Sequence, residues 1–437
     1  MKFKNINLRK LVVLAITGTL LMSCESFFND DNADPNAPFD VPISAALPSI
    51  ELTIVDSKGG LFSNFNNMFV QQVEGVSRQW ESFNSYDIQP VRTNQTWTQL
   101  YENVFVELRE VSRKASEGGY NHYLGIAKTL EAYTLMMATD VLGDMPYTEA
   151  GLGDANNNPA YDDQATVLYP AIKTLLTEAL GLFNGGSGGI APGSDDVLYG
   201  GNIAKWKLAV HATLARYYLH IGDNANALTH AKSGFSSRAD NWGYDYPGAG
   251  NDAPWYGFND VRQGDIEFHP TMKGIMTGLN DTDRLAVLDQ TFDASHPYLK
   301  ANQREDLSTY RELQFIIAEV STNAAEKHTA YLNGIMASFE ELGLGATEYD
   351  AYVAQASVDP GAGNLTMEDV MTQKYLGLFV QPEAFTDWRR TGIPSLTPVS
   401  GSTVPRRWFY PENEYLFNSN APARDADLMF KKVDWDN

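Results

Sequence analysis

Beyond about residue 90, apolar positions in the chain recur every three or four residues. Trp97, Tyr101, Val104, Leu108, Val111 and Ala115 make one such series, and Tyr123, Ile126, Leu130, Tyr133, Met137 and Val141 make a second. That period lays each series along one face of a helix. Gly118-Gly119 between them offers a C-cap and a turn, so residues 97–142 are predicted to be two antiparallel helices. Leu168, Ile172, Leu175, Ala179 and Leu182 predict a third helix, which stops before Gly185-Gly186-Ser187-Gly188-Gly189. Trp206, Val210, Leu214, Tyr217 and Ile221 predict a fourth; after the Gly222 turn and a cap at Asp223 or Asn224, Ala227, Leu228 and Ala231 lie on a fifth. Helical patterning returns over Leu307 to Val320, Ala330 to Leu342 and Met367 to Phe379. Consecutive helix pairs with small residues at their crossings predict a mainly α fold with a tetratricopeptide-like scaffold over about 92–235, although a strict repeat length is absent.

The period breaks in two places. Residues 236–300 mix Gly, Pro, Asn and Asp with rings, and the segment reads as an irregular, loop-rich region. At the other end, Lys2, Lys4, Arg9 and Lys10 precede an apolar run from Leu11 to Met22, the layout of a secretory signal over residues 1–23. The run is shorter than the roughly 20 apolar residues a spanning helix needs. It closes on Leu21-Met22-Ser23-Cys24, which resembles a bacterial lipobox; Cys24 is then the lipidation site and the chain's only cysteine. Each buried methylene of an acyl chain contributes about 0.8 kcal/mol, so a multiply acylated terminus holds to a bilayer. Residues 24–48, with Asp30, Asp31, Asp34, Pro35, Pro38 and Pro42, read as an acidic flexible tether, leaving 49–437 as a single body.

Charge narrows the partners. The formal net charge is −23, and about −27 once residues 1–23 are removed. Nucleic acid is excluded as a partner, because phosphates need clustered Lys and Arg. With one cysteine no intramolecular disulfide forms, and stability has to come from packing.

Several strings then converge. Thr139-Asp140-Val141-Leu142-Gly143-Asp144-Met145-Pro146-Tyr147 follows the second helix and Pro159-Ala160-Tyr161-Asp162 leads to the third. Later come Arg311-Glu312, Ala318-Glu319, Tyr331-Leu332-Asn333-Gly334-Ile335, Gln373-Lys374-Tyr375, Asp387-Trp388-Arg389-Arg390-Thr391-Gly392 and Pro405-Arg406-Arg407 with Tyr410-Pro411. With the lipobox, this ordered series resembles the SusD/RagB family of outer-membrane lipoproteins of Bacteroidota, in particular its SusD-like branch. The resemblance implies a surface-exposed, non-catalytic binding protein that captures an oligosaccharide and delivers it to a SusC-like TonB-dependent transporter. A peptide cargo, as in RagB-like members, is the alternative, and a surface glycoside hydrolase is the rival from another class.

Sugar rings stack on flat aromatic side chains and are oriented by a few amides and carboxylates. Trp242, Tyr244, Tyr246, Trp255 and Tyr256 crowd a turn-rich stretch with Asn251, Asp252 and Asn259 beside them, and they are the main candidate ligand-binding set. Trp80 and Tyr86 form a second. Burial is the ordinary fate of any one tryptophan, but a loop offers limited core to so many rings. The Arg389-Arg390 and Arg406-Arg407 strings read as helix ends and internal partners of carboxylates, and Gly143-Asp144 as a helix stop and turn. The seven histidines show no HExxH spacing, no EF-hand or P-loop string occurs, and no GxSxG nucleophile elbow is present, since Gly185-Gly186-Ser187-Gly188-Gly189 is the glycine stop after the third helix. No metal, cofactor or catalytic residue is therefore expected.

Overall fold

The computed structural model describes residues 40–436. The chain divides at Pro42–Ile43 into two units, and the account below concerns the second. The signal segment, Cys24 and the tether up to residue 39 lie outside the described residues. Helix α1 spans Ile43–Ser57, with Ile43, Leu47, Ile50 and Ile54 buried along one face. The tether expected to run to Pro48 therefore gives way to helix at Ile43. Pro48, the sixth residue of α1, lies inside the helix and leaves out the bond that its N–H would give to the Ser44 carbonyl.

A π turn, Lys58–Phe62, leads into α2 (Ser63–Phe69), every residue of which is buried. Strand β1 (Val73–Gly75) and α3 (Arg78–Asn84) follow. The first predicted helical hairpin is present: α4 (Asn94–Thr98), a π turn over Gln99–Phe105 and α5 (Val106–Gly118) run on to α6 (Asn121–Leu142). The π turn widens the helix and re-aims its face, so Leu100 and Phe105 enter the core while Trp97 and Tyr101 are half-buried. Helix α7 (Tyr169–Asn184) buries Ile172, Leu176, Ala179 and Phe183, one position on from the predicted Leu175 and Leu182. Helices α8 (Ile203–His220) and α9 (Asn224–Ser233) form the hairpin expected at Gly222, with the Asp223 carboxylate accepting from Asn226 N.

Residues 236–300 hold more regular structure than their pattern suggests. Strand β2 (Trp242–Asp245) is followed by α10 (Pro254–Val261), β3 (Ile266–Phe268), α11 (Pro270–Gly278) and α12 (Thr282–Leu288). Strand β4 (Arg304–Ser308) takes in Leu307 and Ser308, the first two residues of the helix predicted from Leu307. Two antiparallel two-stranded sheets result, β1 with β3 and β2 with β4. Helix α13 (Tyr310–Val320) begins where the Thr309 hydroxyl accepts Glu312 N. It packs between α14 (Ala324–Glu341) and α16 (Met367–Gly377), which lie on either side of the short α15 (Ala346–Val353). Phe315 of α13 wedges against Gly334 of α14 and Gly377 of α16, where an added Cβ would lie 2.9 Å from its ring. Helix α17 (Glu383–Thr391) and α18 (Glu412–Phe417) complete the mainly helical fold.

Buried charge ties these helices together. Lys374 on α16, Glu319 on α13, and Asp387 and Arg390 on α17 form a balanced set: Arg390 meets Glu319 at 2.8 Å and Asp387 at 2.6 Å, and Lys374 meets Asp387 at 2.8 Å. This is the internal carboxylate pairing expected of Arg390. Removing one partner from such a set costs about 3–5 kcal/mol, because the others stay buried and unpaired. A second set joins α6, α8, α13 and α17: Arg216 binds Glu312 at 2.7 Å and Glu383 at 3.2 Å, and His220 meets Glu383 at 2.7 Å and Asp140 at 3.4 Å. Burial opposes charge on His220, but the Asp140 and Glu383 carboxylates outweigh it and raise the imidazole to about 9.

Because the His220 shift is upward from 6.5, its stabilisation is complete below that value and is lost as pH rises through about 9. Denaturant titrations across that window should show stability falling in the native protein. His220→Gln should flatten the fall; an unchanged slope would place the alkaline loss elsewhere. Trp242 is fully buried between Tyr133 and Trp206. Trp242→Ala is expected to remove about 3–5 kcal/mol, and a melting temperature equal to that of the native protein would contradict the packing described.

Candidate functional site

Of the predicted ligand-contacting rings, five belong to the core. Trp242 packs edge-on to Tyr133 at 5.1 Å and to Trp206 at 5.5 Å. The Trp255 indole donates to Ser63 Oγ at 2.9 Å. Tyr246 is buried with its hydroxyl on Asp56. Trp80 packs against Phe258 at 4.9 Å and Phe83 at 5.3 Å. Tyr86 is buried as well. Tyr244 and Tyr256 are half-buried, and Tyr244 accepts the Asn251 amide at 3.2 Å. The 242–258 run is thus no exposed stacking platform. Pairing of β2 with β4 and the single inward face of α10, which carries Trp255 and Asn259, give its rings a core that the pattern concealed.

Tyr86 is also the one predicted residue that lines a cleft with other rings at its mouth. Helix α3 ends in a reversed turn in which Tyr86 N donates to Phe83 O at 2.9 Å and Asp87 N to Ser82 O at 3.0 Å. Tyr86 takes the left-handed conformation there, with φ 68°, a place glycine usually fills. Its ring offsets that strain by packing on Phe69 and Phe430, and its hydroxyl accepts Val399 N at 3.0 Å. After the turn, Asp87, Ile88, Gln89 and Pro90 form one wall of a cleft of about 360 Å³, with Asp87 and Gln89 exposed and Ile88 buried. Phe409, Tyr415 and the Arg424–Ala426 segment form the other wall. Asn94 bridges to Asn413, its side-chain amide donating to Asn413 Oδ1 at 3.1 Å and its Oδ1 accepting the Asn413 backbone N at 3.3 Å.

The far wall is set by the end of α6. Gly143 follows α6 with φ 71° and ψ −130°, and a Cβ there would lie 3.2 Å from the Arg407 guanidinium. Its absence lets Arg407 donate to the Leu142 carbonyl, while Trp408 N donates to Val141 O at 2.7 Å and the Tyr410 hydroxyl to Asp144 O at 2.9 Å. Phe409 is thereby turned, half-buried, into the cleft. On α18, Tyr415 is half-buried, and the next two side chains, Leu416 and Phe417, are 61% and 74% exposed. The Arg424 guanidinium lies 4.7 Å from the Tyr415 ring centroid and pairs with Glu412. Asp425 pairs with Lys431. Ring faces, an apolar rim, amides and carboxylates thus meet at one opening, the mixture a sugar or peptide ligand requires.

Three clefts are larger: one of about 410 Å³ between α6 and α7, where Lys128 pairs with Glu178 at 2.8 Å, and two of about 470 and 510 Å³ that meet at Arg238. Their arginines are committed: Arg238 to Glu341 at 2.9 Å, and Arg304 to Asp245 and Asp306 at 2.6 Å. An interior void of about 30 Å³ beside Lys58, Arg216 and Glu383 has room for about one water. Among the described residues one carboxylate group converges, Asp144, Asp163 and Asp434, within 4.8 Å. Burial chiefly, with the neighbouring Asp434 and Asp163 charges, raises the Asp144 carboxyl above its ordinary value despite the Gln164 amide that it accepts. Asp163 serves as the N-cap of the turn at Gln164, accepting Thr166 N at 2.7 Å.

Phe409, Tyr415 and Arg424 escape the sequence patterns because they sit in short or irregular segments; the available signal was the exposed Leu-Phe pair at 416–417 on a polar helix. Among the described residues no helix is long and apolar enough to cross a membrane.

Solved structures align over most of the chain. A SusD/RagB family protein from Bacteroides thetaiotaomicron superposes with a TM-score of 0.73 at 18% identity, covering 91% of this chain and 99% of its own. A SusD homologue from Bacteroides uniformis gives 0.73 at 20% identity, covering 91% and 100%. A chitin-binding protein gives the same TM-score, identity and coverage. No curated protein matches the sequence. The model of the SusD-like family described as starch-binding and associating with the outer membrane matches residues 35–296 and 285–411. The chain therefore belongs to the SusD-like family of outer-membrane-associated nutrient-binding proteins.

Proposed function

We propose that the protein is a surface lipoprotein, anchored through Cys24, that captures an oligosaccharide in the Tyr86–Pro90/Phe409–Ala426 cleft and passes it to a SusC-like TonB-dependent transporter. One observation carries this reading: Phe409 and Tyr415 turn half-exposed ring faces into a cleft whose rim also bears Asp87, Gln89 and Arg424. Carbohydrate needs that combination, because its C–H faces stack on rings while its hydroxyls seek charged and amide partners. The family's starch-binding description and the chitin-binding structural neighbour support a glycan cargo. A lipid anchor followed by an acidic, proline-containing segment suits capture and hand-over, since the body stays beside a membrane-embedded partner while free to move. The assigned role is binding, with no catalytic residue.

Titration calorimetry with starch- and chitin-derived oligosaccharides tests the site. Tyr415→Ala and Phe409→Ala should each weaken binding about tenfold or more, as truncation of an aromatic anchor does, with little change in melting temperature. Unchanged affinity in both variants would remove the cleft from the mechanism. Tight binding of peptides in place of sugars would move the cargo to the peptide class, and sugar chain shortening during the titration would replace binding by hydrolysis.

A further inference from the structure

We infer that this cleft selects uncharged sugars and turns away acidic ones, and that Asp87 enforces the choice; the inference rests on the oligosaccharide reading above. Three charged side chains line the cleft: Asp87, Arg424 and Asp425. Arg424 is held by the Glu412 carboxylate and lies over the Tyr415 ring. Asp425 is held by Lys431 and also accepts Asp427 N at 2.9 Å. Each of these two charges is cancelled by a neighbour. Asp87 is exposed, and its side-chain partner is the neutral Gln89 amide at 2.9 Å, not a cation. The opening therefore carries one uncompensated negative charge, on a chain whose net charge is already −23.

A uronate or sulfated sugar entering this cleft meets a like charge. The one cation at the opening, Arg424, already shares its charge with Glu412, so an acidic sugar finds there only a partly neutralised partner. A neutral sugar meets the opposite situation. Two adjacent hydroxyls can donate to the two oxygens of Asp87, a bond to a charged acceptor that is stronger than one to a neutral group. Selection thus has an attractive and a repulsive arm in the same side chain. A like charge about 4 Å away in water weakens binding by a factor of about five, and dissolved salt screens the effect.

The test is a calorimetric comparison of maltohexaose and chitohexaose with hexagalacturonate on the complete mature chain, at low salt and at about 0.5 M salt. The native protein should bind a neutral hexasaccharide at least about fivefold more tightly than hexagalacturonate, with a smaller gap at high salt. Asp87→Asn should close most of that gap while melting at the native temperature. Equal or tighter hexagalacturonate binding by the native protein would overturn the inference and leave the oligosaccharide reading standing. So would an Asp87→Asn ratio identical to the native one. Failure of every hexasaccharide to bind would remove both.

Discussion

The carbonyl end of helix α6 is the point on which the C-terminal part of the structure depends. A helix leaves its last carbonyls without partners and carries partial negative charge there. Three donors from distant sequence settle on it: the Arg407 guanidinium on Leu142, Trp408 N on Val141, and the Arg389 guanidinium on the Asp140 carbonyl at 2.6 Å. Hydrogen bonds from charged donors contribute about 1.5–3 kcal/mol each. Arg389 also lies between the Phe385 and Trp435 rings at 4.1 and 4.5 Å and reaches the Arg406 carbonyl at 2.8 Å. Burial holds its guanidinium down at about 10, still charged at neutral pH, although the nearby Asp436 and Asp140 carboxylates act against that fall. Arg406 in turn binds Asp436 at 2.6 Å. The irregular chain beyond residue 393 is thus strapped to a helix formed far earlier, and one wall of the cleft is the outcome.

This arrangement joins stability to function. The rings at the cleft need not be part of a regular element, because arginines fix their backbone from behind. The opposite wall is fixed in a similar way, by the buried ring of Tyr86 in a left-handed turn. Both walls rest on the rigid helical body, and the side chains between them remain free to meet a ligand.

Much of the scaffold was legible from period alone. The Gly118-Gly119 and Gly222 turns, the helices they join, and the cap at Asp223 follow from spacing and turn chemistry, which act locally. The reading of Arg390 as a partner of internal carboxylates also needed only its place near a helix end in an acidic chain. What escaped was decided by tertiary contact. Leu307 looks helical but lies in β4, at a bulge between Asp306 and Ser308, which pair with Gly243 and Trp242 of β2. Trp242 and Trp255 look available for stacking but meet Tyr133, Trp206 and Ser63 from elements far away in sequence. The cleft is composed of two loops 300 or more positions apart, brought together by contacts with no signature in either. Sequence reasoning could name the chemistry of a sugar site but not which rings were left uncovered.

Hydrogen–deuterium exchange, with and without a bound starch- or chitin-derived oligosaccharide, tests the central claim most directly, because it reports where ligand slows backbone opening. The account predicts new protection confined to the 85–92 and 409–426 segments. Protection over residues 242–258, with none at 409–426, would contradict it.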